Sequence, residues 1–350
     1  MRLTNMGITF SYDASLHNKH IIQNLRIHVI SFPDSLFMSF VNFNQNLRWI
    51  PLLFFLIHPF FSYSQKTVKE VVQDGISKAK LGDFKEAMKS FELAVSMDST
   101  AAEAYYNRGI VNTELKDYDA AINDFSKVID IHPTYPEPYY NRGLAKDYQK
   151  KYMAAIVDYT KAINLKSDFT DAYVNRGLAK FDLKDYKEAA MDFSRAIQYQ
   201  PDNASAYYNR GLSYFSMNDY SASIADFDQA IRYDSVSADY FSSRGAAKAA
   251  TGRLEEAILD FNAAIRLRPL DINNYINKGL AHLYLKNYQA ALEDYSKVIG
   301  IDQTNPEGYV NRGVSRQYLN DKPGACEDWK KAIELGSEKA KNYFDKYCSH

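Results

Sequence analysis

Glycine stands at 75, 109, 143, 177, 211, 245, 279 and 313, each 34 residues after the last, in a register that no insertion or deletion interrupts. The tripeptide Asn107-Arg108-Gly109, or a near copy, travels with it as far as Asn311-Arg312-Gly313. A fixed period of this length means one small supersecondary unit written repeatedly, whose apolar face is covered only when neighbours stack on it. With Val68 as the first residue, the units begin at 68, 102, 136, 170, 204, 238, 272 and 306. Residues 68–339 of the 350-residue chain are therefore read as one repeat domain rather than the two globular domains its length suggests.

Each unit carries two apolar stripes of helical period separated by a polar turn, which predicts an all-α array of helix A, turn, helix B hairpins. In the unit 170–203, Tyr173, Gly177 and Phe181 fall on helix A, Lys184-Asp185-Tyr186 makes the turn, and Ala189, Phe193 and Ala196 share a face of helix B. Asp185 with Glu188, and Asp83 with Glu86, have the spacing of a capping box at the helix B start. Pro133, Pro201 and Pro269 mark helix B ends. A glycine inside a helix costs about 1 kcal/mol relative to alanine, so its regular return needs a geometric reason. The small residues at Ala87, Ala121, Ala155, Ala189, Ser223, Ala257, Ala291 and Ala325 supply one, a close approach of helix B.

The first 64 residues share none of this pattern. They end in Arg48-Trp49, the apolar run from Ile50 to Phe61, and Ser62-Tyr63-Ser64 before Gln65. A charge, an apolar stretch shorter than a membrane span, and small residues at both key positions before a cut are the order of a secretory signal. Residues 38–64, starting at Met38, are read as that signal, cleaved near Ser64/Gln65, and 1–37 as an over-extended, unstructured N-terminus. This places the protein outside the cytoplasm, periplasmic or secreted. The alternative is an uncleaved membrane anchor, disfavoured by two prolines and a histidine in so short a run. Past residue 64, 38 Lys and Arg face 41 Asp and Glu, so no basic footprint for nucleic acid exists.

The residues resemble the tetratricopeptide repeat family, whose aromatic, glycine, aromatic, alanine, aromatic, alanine, proline pattern is matched by Tyr105, Gly109, Tyr118, Ala121, Phe125, Val128 and Pro133. The resemblance implies a right-handed superhelical α-solenoid whose inner wall is built from helices A. The chain departs from the pattern just before the glycine, where the family has a large apolar residue and this chain has Arg108, Arg142, Arg176, Arg210, Arg244, Lys278 and Arg312. Each is followed sixteen residues later by Asp124, Asp158, Asp192, Asp226, Asp260, Asp294 and Asp328, and the first unit lacks both, carrying Asp74 and Ser90. Joint presence and joint absence point to structural ion pairs between helix A and helix B.

At the positions matching the inner wall stand Asn107, Asn141, Asn175, Asn209, Asn277 and Asn311, with Gln73 and Ser243 breaking the row. Amides offer a donor and an acceptor and can pair with an extended peptide main chain without reading its sequence. The row is similar to the asparagine ladder in the repeat domain of O-linked N-acetylglucosamine transferases; no part of that enzyme's catalytic domain is present. Tyr106, Tyr140, Tyr208, Phe181 and Phe215 are expected beside it, with acidic Glu103, Glu137, Asp171, Asp239 and Glu307 at the edge. The competing reading has each amide bonded inside its own hairpin and the rings packed between units.

Ala340 to Cys348 reads as a capping helix in the segment 340–350, and Cys326 and Cys348 are the two cysteines, a possible disulfide if the protein is exported. His132, His282 and His350 are the histidines past residue 64, without a nucleophile, phosphate loop or metal spacing beside them. The expectation is a non-enzymatic scaffold that takes a protein or peptide partner in the groove, without cofactor, metal or nucleic acid. A membrane-tethered assembly factor or sensor input domain is the alternative should the N-terminal segment stay uncleaved.

Overall fold

The computed structural model describes residues 66–348, in which all regular structure is α-helical. The readings at Met38, the apolar run and the Ser64/Gln65 cut lie outside the described residues, as does His350. The described residues divide into two compact units, 66–165 and 166–348.

The first unit holds α1 (Val68–Lys80), α2 (Phe84–Met97), α3 (Ala102–Glu114), α4 (Tyr118–Ile131), α5 (Pro136–Tyr148) and α6 (Tyr152–Leu165). The second holds α7 (Thr170–Asp182), α8 (Tyr186–Tyr199), α9 (Ala204–Ser216), α10 (Tyr220–Tyr233), α11 (Ala238–Ala250), α12 (Leu254–Leu267), α13 (Ile272–Tyr284), α14 (Tyr288–Ile301), α15 (Pro306–Tyr318), α16 (Lys322–Glu334) and α17 (Glu338–Tyr347). Within each unit every helix packs on the next, an α-solenoid of helical hairpins. Odd-numbered helices also meet the next odd helix, α1 with α3 and α3 with α5, then α7 with α9, α9 with α11 and α11 with α13. Helices A therefore share a wall inside each unit.

The turn between helices needs one residue with left-handed backbone, and its φ is 63° at Lys116 and Lys184, 62° at Asn218, and 80° at Gly82. Glycine adopts this region without strain, whereas lysine does so at a cost the surrounding hairpin must offset. Among helices B, α2, α4, α10 and α16 are capped by aspartate side chains accepting from backbone N–H groups, as Asp83 does from Glu86 N at 3.2 Å. Asp185 makes no such bond, so the capping box expected with Glu188 does not form; the full reciprocal box is at Thr67 and Glu70, which opens α1.

The core explains the glycines differently from the sequence reading. A Cβ built on Gly177 would stand 2.8 Å from Cε1 of Phe193, and one on Gly143 would stand 2.7 Å from Cε1 of Tyr159. The neighbour that needs the space is thus the helix B aromatic four residues beyond the small one: Phe91, Phe125, Tyr159, Phe193, Phe227, Phe261, Tyr295 or Trp329. Each ring packs against a helix A backbone that carries no side chain there, and all eight are fully buried. Alanines such as Ala189 are buried as well, but the atoms nearest the glycine are those of the ring.

At the C-terminal end α17 covers the last hairpin. Tyr343 stacks on Trp329 with centroids 5.3 Å apart, Tyr347 lies 5.7 Å from the same indole, and Cys348 is bonded to Cys326 of α16. The bond closes a loop of 22 residues, and in the loop-entropy account a crosslink of that span is worth about 3 kcal/mol. Reduction is expected to loosen α17 while leaving earlier helices intact, read as a gain in amide exchange confined to the last hairpin and cap. Alkylation of unreduced, unfolded protein should label neither cysteine; two labelled thiols would refute the bond.

Candidate functional site

Two recurrent constellations cross the array. The first is built on the basic residue before each glycine. Arg210 Nε and Nη2 donate to Asp226 Oδ2 and Oδ1 at 2.8 and 2.7 Å, and the same fork joins Arg108 to Asp124, Arg142 to Asp158, Arg176 to Asp192, Arg244 to Asp260 and Arg312 to Asp328. Lys278 reaches Asp294 with its single ammonium at 2.8 Å. The carboxylates are buried and the guanidiniums are mostly covered, each lying over the aromatic ring three residues earlier, such as Tyr207 under Arg210 at 5.5 Å.

Sequence reasoning missed two further partners. A second cation one helical turn on, Lys146, Lys180, Lys248 or Arg316, reaches the same carboxylate, as Lys180 Nζ does Asp192 at 2.8 Å. In the seventh repeat this place is taken by His282, whose Nδ1 is 2.8 Å from Asp294 Oδ2. The arginine's remaining nitrogen reaches back to the preceding hairpin, from Arg142 Nη1 to Ser126 Oγ at 3.0 Å and from Arg244 Nη1 to Asp228 Oδ1 at 2.6 Å. In the first repeat the roles are exchanged: Asp74 accepts from Lys78 at 2.7 Å and from Ser90 at 2.8 Å. The variable residue types at these places hid them. The constellation is saturated with internal bonds, and its chemistry is that of a cross-brace.

The second constellation is the asparagine row. Asn107, Asn175, Asn209, Asn277 and Asn311 are buried and Asn141 is half-buried. Asn107 Nδ2 donates to Glu103 O at 2.8 Å, Asn141 Nδ2 to Tyr106 Oη at 2.8 Å, and Asn209 Nδ2 to Ser205 Oγ at 3.2 Å. In these three the amide N–H is used inside the array and the amide oxygen accepts nothing from it. The side-chain amide of Asn311 makes no hydrogen bond at all among the described residues. The rings expected beside the row are largely consumed by packing. Tyr106 and Tyr208 are buried, against Phe125 at 5.9 Å and Tyr240 at 4.7 Å. Tyr140 lies 5.9 Å from Tyr159, while Phe181 and Phe215 meet Tyr186 and Tyr220 edge to face. Of the acidic edge, Asp239 is held by a fork from Arg268 at 2.6 and 2.8 Å.

Burial pushes the phenols of Tyr106, Tyr148, Tyr159, Tyr240 and Tyr295 well above the ordinary tyrosine range. An unfolded chain ionises its phenols near pH ~10, below these folded values. Stability from these rings is therefore complete below about pH 10 and is lost as pH rises above it. In an alkaline titration, exposed tyrosines should ionise with helical ellipticity intact, and the buried set only as ellipticity collapses. All tyrosinate appearing before any loss of helix would contradict the burial.

Among the described residues no cluster of three or more His, Cys, Asp or Glu could hold a metal, and no helix is long and apolar enough to cross a membrane. Helix B leaves another kind of surface, with Met153 67% exposed on α6 and, in the other unit, Leu259 68% exposed on α12.

Family models described as tetratricopeptide repeat match residues 75–100, 102–135, 136–169, 208–272 and 273–305, and one described as TPR repeat matches 177–218. Together they span more than half of the chain. No curated protein sequence matches it. Among solved structures, the C-terminal part of a TPR repeat-containing protein from Cytophaga hutchinsonii is 17% identical, with 68% of this chain and 98% of that one covered at a TM-score of 0.59. A tetratricopeptide repeat protein from Parabacteroides merdae is 22% identical, with 70% and 97% covered at a TM-score of 0.52. YrrB, described as a TPR protein with an unusual peptide-binding site, is 21% identical, with 54% and 97% covered at 0.49. These are likenesses of fold.

Proposed function

The chain belongs to the tetratricopeptide repeat family, and from that premise we propose that it is a non-catalytic scaffold holding extended segments of other proteins along its helices A. The observation that carries this reading is the unspent hydrogen-bonding capacity of the asparagine row. Asn107, Asn141 and Asn209 use their N–H groups internally and keep their oxygens, while Asn311 keeps both. An extended peptide has main-chain N–H groups to give, and side-chain oxygens at repeated intervals accept them without selecting a sequence. At Asn107, Asn141 and Asn209 the two sequence readings combine, internal on the donor side and unspent on the acceptor side, whereas the Asn277 oxygen is sealed.

Export is part of the same proposal. Cleavage after Ser64 would deliver the Cys326–Cys348 bond to an oxidising compartment, where such bonds persist. The near balance of acids and bases favours protein partners over nucleic acid. The test is capture of partners by residues 65–350 beside a variant with Asn107, Asn141 and Asn209 changed to Ala and shown to melt like the parent. Loss of partners in the variant supports the row as the contact. Equal capture by both would remove it and shift the activity to the helix B faces.

A further inference from the structure

In the second unit residues of α13, α14, α15 and α17 line a cavity of about 350 Å³ that is open to solvent on one side, with the buried Trp329 of α16 in its lining. Its walls are mostly aromatic and aliphatic, including Tyr284, Val314, Tyr318 and Tyr343. Polar groups interrupt them, Lys286 among them, and three lack a hydrogen bond. Asn311 is only 4% exposed, lines the cavity, and leaves its whole side-chain amide without a hydrogen bond among the described residues. Gln317 Oε1 and Tyr284 Oη, on residues of the same lining, are sealed without a hydrogen-bond partner. A buried polar group left unpaired costs roughly 1–3 kcal/mol, so a lining whose residues carry three such groups favours a guest that brings hydrogen-bonding groups.

We propose that this cavity receives the indole of a tryptophan side chain presented by an extended partner segment, an inference that rests on the scaffold reading above. The volume admits one aromatic side chain and no folded body. Indole is apolar except for a single N–H donor and carries no acceptor. Gln317 Oε1 lacks a donor, and its terminal amide must rotate about a soft torsion to meet the indole N–H. A phenylalanine would fill the space and leave that oxygen unpaired. Asn311, with a donor and an acceptor both free, is placed to take the main chain next to the indole. Tyr343 comes from the capping helix, so the cap that closes the solenoid also completes the receptor. The disulfide to α16 holds that wall in place.

The test uses the full chain and small probes, N-acetyl-tryptophanamide beside its phenylalanine and leucine counterparts, followed by ligand-observed NMR. The tryptophan probe is expected to bind about tenfold tighter than the phenylalanine one, the value of one good hydrogen bond in a dry site. Val314→Trp, which fills the cavity, should abolish binding; Gln317→Leu should keep the pocket and erase the preference for tryptophan. Gln317→Leu keeps the question decidable even if Val314→Trp fails to fold, and melting curves check both. No binding of the tryptophan probe, or binding and preference unchanged in Gln317→Leu, would overturn the proposal. If the probe fails while partner capture still depends on Asn107, Asn141 and Asn209, the pocket alone is wrong. If the probe binds while capture ignores those amides, the scaffold reading is wrong and the pocket stands.

Discussion

Gly177→Leu is expected to destabilise the α7–α8 hairpin by about 3 kcal/mol or more, the upper end of overpacking effects. Even a methyl group at this position would sit 2.8 Å from the ring of Phe193, which is fully buried and has no open side to move toward. A leucine adds branched bulk to the same conflict, and the helices must separate. Gly300 makes the contrast. It lies in the last turn of a helix, α14, and a Cβ there would meet nothing within 4 Å. Gly300→Ala should therefore stabilise, by up to roughly 1 kcal/mol, the helix-propensity gain of an interior position. Urea melts of the two variants, with amide exchange to locate the change, are expected to shift in opposite directions. Shifts of the same sign would remove the argument that the repeated glycine exists to admit the aromatic ring.

Arg210→Ala is expected to cost about 3 kcal/mol, and Arg176→Ala distinctly less, although both remove a forked pair of the same geometry. In the fourth repeat Lys180 remains 2.8 Å from Asp192 after the arginine is gone. In the fifth repeat the equivalent place is Tyr214, and Asp226 loses the arginine fork that compensates its buried charge. Burial already pushes the Asp226 carboxyl above the usual carboxylate range with the guanidinium beside it. Once alone it will take a proton more readily, so the Arg210→Ala deficit should shrink as pH falls. Removing the carboxylate reverses the ranking. Asp192→Ala strands two cations and should exceed Asp226→Ala, which strands one. Equal effects at both repeats would mean that the second cation contributes nothing.

Much of the architecture was legible because a repeat states its own register. Glycines at a strict interval located the hairpins, and Pro133, Pro201 and Pro269 lie two residues past the ends of α4, α8 and α12. What the glycine faces was not legible. Ala189 and Phe193 stand one turn apart on helix B, and which leans over Gly177 depends on the inclination of side chains along the helix, which spacing does not give. Nor does spacing show whether Asp185 turns back to cap its helix. The rise and fall of Arg and Asp together was visible in sequence, but the third partner was not, because Asn112, Lys146 and His282 share no residue type and the fifth repeat has Tyr214 at that place. The acceptor side of the asparagine row needed the hydrogen-bond geometry. The cavity beside Asn311 needed the position of α17, a helix outside the repeat pattern.

The central claim is that helices A, not helices B, carry the partner. Site-specific photocrosslinking tests it most directly, with a photoreactive residue placed at Glu137 and Asn273 on helices A and, for comparison, at the exposed Met153 and Leu259 on helices B. The account predicts that a protein partner is trapped from Glu137 or Asn273 and from neither helix B position. Trapping from Met153 or Leu259 alone would contradict it and assign binding to the opposite face of the hairpins.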